Sequence, residues 1–198
     1  MPIQDSTDLP GPSSSSLESV LTEILLHTFG PDVWDDSARD TARRVLKSWA
    51  EFAPKQDGEY PFEFTTFPAV KGQLIIVKDI EFTSMCAHHL LPFYGSAHIG
   101  YVPHKLQAGL SKFPRLVHHF AARPQVQEGL TSQLVDALSE LLLTRDVMVV
   151  IESRHTCMSC RGVRAHTASM TTSLPKGSFF TSGELRSEFL SLINRNVL

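Results

Sequence analysis

Gln73-Leu74-Ile75-Ile76-Val77-Lys78-Asp79-Ile80-Glu81-Phe82 runs, through Thr83-Ser84-Met85, into Cys86-Ala87-His88-His89. The first ten residues are rich in β-branched and aromatic side chains and read as a strand. The segment that follows reads as a turn holding one cysteine and two histidines. Cys86 and His89 have a C-x-x-H spacing, which lets both side chains reach one ion from a single tight turn. Tyr94 to Val102 alternates enough to be the antiparallel partner, closed by Pro103.

A second apolar run, Val147-Met148-Val149-Val150-Ile151, reads as a buried strand leading directly to His155-Thr156-Cys157. Two strands therefore each end at a cluster of metal-binding residue types, and strands aim such side chains rigidly. Cys157 can supply a third ligand beside Cys86 and His89. Three protein ligands leave a tetrahedral Zn²⁺ with one position for water, as in catalytic zinc sites. His88 and His155 each lie beside a proposed ligand and suit proton transfer near neutral pH. An isolated Cys or His is most often a buried filler, so the case rests on the clustering. Cys157-Met158-Ser159-Cys160 offers a rival, because this C-x-x-C could add Cys160 to the set. The site would then be closed Cys₃His, structural and without catalytic water. Spacing leaves both options open.

Composition narrows the class. At 198 residues, with 42% hydrophobic and 20% charged, the chain predicts one soluble globular domain with a substantial core. The formal charge of −3 gives no support to nucleic-acid binding. No apolar run reaches the roughly 18–20 residues of a membrane span. No secretory signal is visible and the cysteines are three, an odd number, so reduced thiols and a cytoplasmic location are expected.

Around the two strands the chain reads as α+β. Residues 1–16, rich in Pro, Gly and Ser, predict a disordered tail, and 17–198 a single domain with a helical part over 17–60. Within it, Leu17 to Leu26 has helical spacing with Ser15 or Ser16 as N-cap, and Ser37 to Phe52 is a second amphipathic helix capped by Asp35 or Asp36. Helices are expected over 111–122 and 124–143, with Pro124 near the first position of the latter. Ser169 to Leu174 reads as another strand. Thr181-Ser182-Gly183-Glu184 is a capping-box pattern opening a last helix. The order predicts an antiparallel sheet with helices on one face. Its edges need protection, so a cyclic oligomer that joins edges between copies is expected.

Four segments, in order, closely resemble GTP cyclohydrolase I: Ser84-Met85-Cys86-Ala87-His88-His89-Leu90-Leu91-Pro92-Phe93; Gly109-Leu110-Ser111-Lys112-Phe113-Pro114-Arg115; Arg123-Pro124-Gln125-Val126-Gln127-Glu128; and His155 to Val163. The resemblance covers about residues 36–195. It implies the T-fold over 61–198 and a toroidal homo-oligomer, a decamer of two pentamers, with active sites where subunits meet. The implied reaction is hydrolytic opening of GTP at guanine C8, with formate release and rearrangement to 7,8-dihydroneopterin triphosphate. In this resemblance Zn²⁺ sits on Cys86, His89 and Cys157, and His88 and His155 are proton donors. Gln127 lies near the catalytic His and Glu128 anchors the guanine base. Lys112, Arg115, Arg161 and Arg44 occupy the family's phosphate positions, and Ser111 its hydroxyl position. Three places depart from the family's pattern: Leu174 to Phe179 is slightly longer than the family's Gly-containing segment, Ala87 stands where Glu is usual, and Cys160 where Cys is not. The last two keep two other readings in view, a GTP-binding homologue with a closed zinc site and a different T-fold enzyme of pterin or deazapurine metabolism.

Overall fold

The structure, a computed structural model, describes residues 14–31, 40–54, 60–70 and 72–195. It resolves into two compact units, residues 1–51 and 52–198. The first holds helix α1 (Ser14–Phe29) and nearly all of α2 (Thr41–Phe52). In α1, Thr22 and Thr28 hydroxyls donate to the carbonyls four residues back, at 2.8 and 2.7 Å. Most of the expected tail, and the expected start and Asp35 or Asp36 cap of the second helix, lie outside the described residues.

The second unit is built on a five-stranded sheet of order β5-β2-β3-β6-β7. Its strands are β2 (Ile75–Cys86), β3 (Pro92–Tyr101), β5 (Pro124–Gln125), β6 (Val147–His155) and β7 (Met170–Pro175). A separate two-stranded sheet pairs β1 (Thr66–Pro68) with β4 (Leu106–Ala108). Helices α3 (Lys112–Ala121) and α4 (Gln127–Leu141) pack on one face of the main sheet. Alternate residues of the strands meet them there: Val77, Ile80, Phe82, Phe93, Ala97, Ile99, Val147, Val149 and Ile151 share a core with Leu116, Val117, Leu130, Leu134 and Leu138. The in-out period of two generates that face from the sequence pattern.

Three expectations need correction. Helices cover both faces, not one. Met148 and Val150, which alternate with the first core's residues, pack with Phe179 of α6 (Ser178–Thr181) and Phe189 of α7 (Gly183–Ile193). Gly100 makes that approach possible, because a Cβ there would lie 2.7–2.8 Å from the Phe189 ring. The sheet is also mixed: Pro124 and Gln125 form a short parallel pairing with Met85 and Cys86 instead of opening a helix. Proline cannot donate to a ladder, but on an edge strand it can face outward. Finally, the last helix is capped by Ser182, whose Oγ accepts from Leu185 N at 3.2 Å, one residue later than the pattern through Thr181 indicated.

The strands reach further toward the site than their apolar runs. β2 continues through Met85 and Cys86, and β6 through His155. A bulge between Val77 and Ile80 re-phases β2. Asp79 takes φ 58° there, and its N–H donates to His98 Nδ1 at 3.1 Å. Lys78, in the same bulge, donates to Leu192 O at 3.1 Å and to Arg195 O, tying the end of α7 to the sheet.

Asp146, just before β6, ties three segments. Its Oδ1 accepts from Ser178 N at 2.7 Å and its Oδ2 lies 2.5 Å from His104 Nε2. Burial works against its ionisation, but the hydrogen bonds from Ser178 and His104 outweigh it and hold the carboxyl below the usual range. A depressed carboxyl pKa adds stability above the unfolded-state value near ~3.9, and that stability disappears as pH falls through the folded value. Asp146→Asn is therefore expected to lower stability at pH 7 by about 1–2 kcal/mol, with the gap to the parent closing below about pH 4. Denaturant midpoints at fixed chain concentration check this, and a gap independent of pH would contradict it.

Candidate metal centre and active site

Cys86 ends β2 and is followed by the turn Ala87–His89. The turn closes on Cys86: its carbonyl accepts from Leu90 N at 2.8 Å and His89 N at 3.3 Å, and its N–H donates to Leu91 O at 2.8 Å. Leu90 adopts φ 51° to complete it. Across β3, the register pairs Phe93 with both Ser84 and His155. Strand β6 then passes into α5 (Thr156–Ser159), a single turn, whose Thr156 hydroxyl donates to Pro92 O at 2.6 Å. The β2 and β6 ends are thus held on either side of the start of β3.

This arrangement brings the ligand atoms of Cys86, His89 and Cys157 all within 4.8 Å of one another. The Cys86 and Cys157 sulfurs are 3.9 Å apart, and His89 Nδ1 is 3.9 Å from Cys86 Sγ. A tetrahedral zinc with Zn–S distances near 2.3 Å would separate two thiolates by about 3.8 Å. The set therefore fits zinc in both chemistry and spacing. Burial, then the neighbouring Cys86, pushes the Cys157 thiol up. A bound cation would reverse that push, since metal ligation deprotonates a thiol. Cys160 is exposed and stands outside this set of converging ligand atoms. His88 also stands outside it, although its Nδ1 lies 3.8 Å from Cys86 Sγ.

A cavity of about 190 Å³ opens beside the three ligands, lined also by His88, Gln127, Glu128 and His155. Gln127, the first residue of α4, is 1% exposed and spans the space between β6 and β7. Its Nε2 donates to Ile151 O (3.0 Å), Met170 O (3.2 Å) and Thr172 Oγ1 (3.1 Å). Two of these acceptors are backbone carbonyls, so the amide can only sit with its nitrogen toward them. Its Oε1 then faces Ser153 Oγ at 2.5 Å and His155 Nε2 at 3.0 Å. A carbonyl oxygen only accepts, so His155 Nε2 carries a hydrogen and Nδ1 is the atom left to exchange a proton. The His155 ring stacks on Phe93 with centroids 4.6 Å apart and planes 2° from parallel. Burial lowers the His155 pKa, and the Glu128 carboxylate only partly opposes it.

Not every expected site residue joins this cavity. Arg161 lies beside it, with Nη1 3.5 Å from His89 Nε2 and from Cys157 O. Ser111, Lys112 and Arg115 do not line it. Ser111 and Lys112 open α3 beside Phe113, which packs on Tyr101 at the far end of β3. Phe93 and Tyr101 are eight residues apart on that strand, roughly 26 Å at about 3.3 Å per residue. Arg44 lies on α2, exposed and 4.0 Å from Asp40. Sequence reasoning missed Ser153 and Thr172, which hold Gln127. For Ser153 the signal was present, two residues before His155 on one face of a strand, whereas Thr172 is placed opposite Ile151 only by the strand register.

Reduced protein is expected to bind about one Zn²⁺ per chain. Replacing Cys86 or Cys157 with Ala is expected to cut bound zinc at least about tenfold, whereas Cys160→Ala retains it. Metal analysis after gel filtration measures this. Zinc loss from Cys160→Ala equal to that from Cys157→Ala would restore the closed site.

The chain's similarities agree with this geometry. Residues 18–194 match the family model described as GTP cyclohydrolase I. A relative named GTP cyclohydrolase 1 from Thermobifida fusca (strain YX) is 46% identical over 180 residues, covering 89% of this chain and 86% of the relative. Another of the same name from Hydrogenobaculum sp. (strain Y04AAS1) is 42% identical, covering 87% and 94%. One from Deinococcus radiodurans is 40% identical over 199 residues, covering 94% and 91%. With its ligand cluster, cavity and this match over nearly the whole length, the chain belongs to the GTP cyclohydrolase I family.

Proposed function

We propose that this chain opens the imidazole ring of GTP by hydrolysis at guanine C8, releases formate, and yields 7,8-dihydroneopterin triphosphate. The observation that carries the reading is the convergence of Cys86, His89 and Cys157 at the wall of a cavity that also presents His155, His88 and Glu128. Cys86, His89 and Cys157 would hold Zn²⁺, whose chemistry in an open three-ligand set is Lewis-acid activation of water at neutral pH.

The chain's own groups supply the rest. Glu128 is an acceptor-only carboxylate at the cavity, suited to the N1–H and exocyclic amine of guanine. His155 exchanges a proton through Nδ1, because Gln127 occupies Nε2. Gln127 and the Phe93 stack keep that ring from rotating as its charge changes. His88, exposed at the mouth, is a second proton carrier for the steps that follow ring opening. The cavity is small against a whole nucleoside triphosphate and receives the base end.

The triphosphate calls for several cations, of which Arg161 lies beside the cavity. The stretch of β3 between the metal end and the Ser111–Lys112 end supports a reading in which those residues and Arg115 serve a site on a neighbouring copy. Arg44 is the remaining proposed phosphate contact. The sheet leaves room for such neighbours. Among the described residues, β2 is paired on its β5 side only at Met85 and Cys86, and β7 has no strand beyond it. Joining these edges between copies would close a ring, for which the family's decamer is the proposed form. No described helix is long and apolar enough to cross a membrane, and the proposed location is the cytoplasm.

Incubating the zinc-loaded protein with GTP is expected to release formate and give a product that becomes fluorescent neopterin after oxidation and dephosphorylation. Neither product from a zinc-replete preparation would reject the reading. Mixing inactive Cys86→Ala with inactive Lys112→Ala under subunit exchange is expected to restore part of the activity. Full activity in a monomer would overturn the shared site.

A further inference from the structure

The C-x-x-C of the second ligand cluster is only half used by the proposed chemistry. Cys157 belongs to the ligand set, while Cys160 caps α5, exposed, three residues away. Residues at this spacing on one helical turn have Cβ atoms about 5–6 Å apart. A disulfide needs about 3.5–4.5 Å between Cβ atoms and accepts 4.4–6.8 Å between Cα atoms. Forming the bond therefore requires the turn to unwind at Cys160 and bring the two Cβ atoms about 1–2 Å closer. Little resists it: α5 is four residues long, and Cys160 is held by one backbone bond, to Thr156 O at 2.9 Å. Gly162, at φ 61°, follows almost at once and lets the chain re-aim.

The three thiols differ in access. Cys86 is 5% exposed, Cys157 is half-buried, and Cys160 is open. An oxidant arriving from solvent therefore meets Cys160 first. We propose that Cys160 is an oxidation site that, on forming a disulfide with Cys157, withdraws that ligand from the zinc and switches the site off. This rests on the metal reading above and adds its regulation.

With a hydroperoxide as oxidant, the Cys160 thiolate attacks the O–O bond, becomes a sulfenic acid and releases hydroxide. The Cys157 sulfur then attacks the Cys160 sulfur and expels a second hydroxide as the S–S bond forms. Two electrons pass from the two sulfurs to the peroxide, and no other reagent is needed. Cys86 and His89 alone then remain for the metal, and two ligands hold it far less tightly than three. A dithiol reductant returns both thiols and the site. The nearer pair, Cys86 and Cys157 at 3.9 Å, is the competing disulfide, and peptide mapping separates the two.

The test treats the reduced, zinc-loaded full chain with hydrogen peroxide in the presence of a chromogenic zinc chelator. The wild type is expected to release its zinc as a Cys157–Cys160 disulfide appears in peptide mapping, and to rebind zinc after dithiothreitol. Cys160→Ser is expected to keep zinc and formate release when reduced, and to lose zinc at least about tenfold more slowly under peroxide. Equal release rates with and without Cys160, or a mapped Cys86–Cys157 bond in the wild type, would overturn the switch while leaving the metal reading intact. A reduced wild-type chain that binds no zinc would sink both.

Discussion

The site depends on the register of three strands. Cys86 and Cys157 are 71 residues apart, yet their sulfurs approach to 3.9 Å because β2 and β6 both pair with β3 and end together at its start. One buried face fixes that pairing, since a slip by one residue would turn every core side chain to the other face. It would also turn Ser153 and His155 away from Gln127. The apolar pattern of the core and the aim of the ligands are therefore one constraint. The cost of this rigidity is loop closure over a long span, which the helices packed on the first face offset by burying the strands' inner residues.

Gln127 converts that rigidity into chemistry. Its amide is oriented by strand carbonyls of β6 and β7, and its oxygen fixes which nitrogen of His155 carries hydrogen. Ser153 occupies the other acceptor position of the same oxygen. Thr131 donates to the Gln127 carbonyl at 2.8 Å and lies 2.7 Å from the Thr172 hydroxyl, so α4, β6 and β7 share one buried polar network. Such a network is strong only when every member is satisfied. Here each polar atom of the Gln127 side chain has a partner, which accounts for a glutamine buried to 1% exposure.

Much of this was legible in the sequence because it is local or periodic. The C-x-x-H turn, the apolar runs to Phe82 and Ile151 that lead toward Cys86 and His155, and the helices over Lys112–Ala121 and Gln127–Leu141 follow from spacing and period. What escaped depends on distant partners. Pro124 and Gln125 read as the start of a helix, but Cys86 and the following N–H of Ala87 need backbone partners, and Gln125 O accepts from Ala87 at 2.9 Å. The last helix gives no local sign of which sheet face it covers. That is decided by Gly100, which leaves space for Phe189 on the side away from α3 and α4. Ser111, Lys112 and Arg115 were recognisable only through family resemblance, since nothing local ties them to a ligand cluster at the opposite end of β3.

The central claim is that three protein ligands, two of them thiolates, meet at one point and leave Cys160 aside. X-ray absorption at the zinc edge of the reduced, metal-loaded protein reads the donor set directly. The account predicts two sulfur neighbours near about 2.3 Å and lighter nitrogen or oxygen neighbours near about 2.0–2.1 Å. Three sulfur neighbours, or fewer than two, would contradict it.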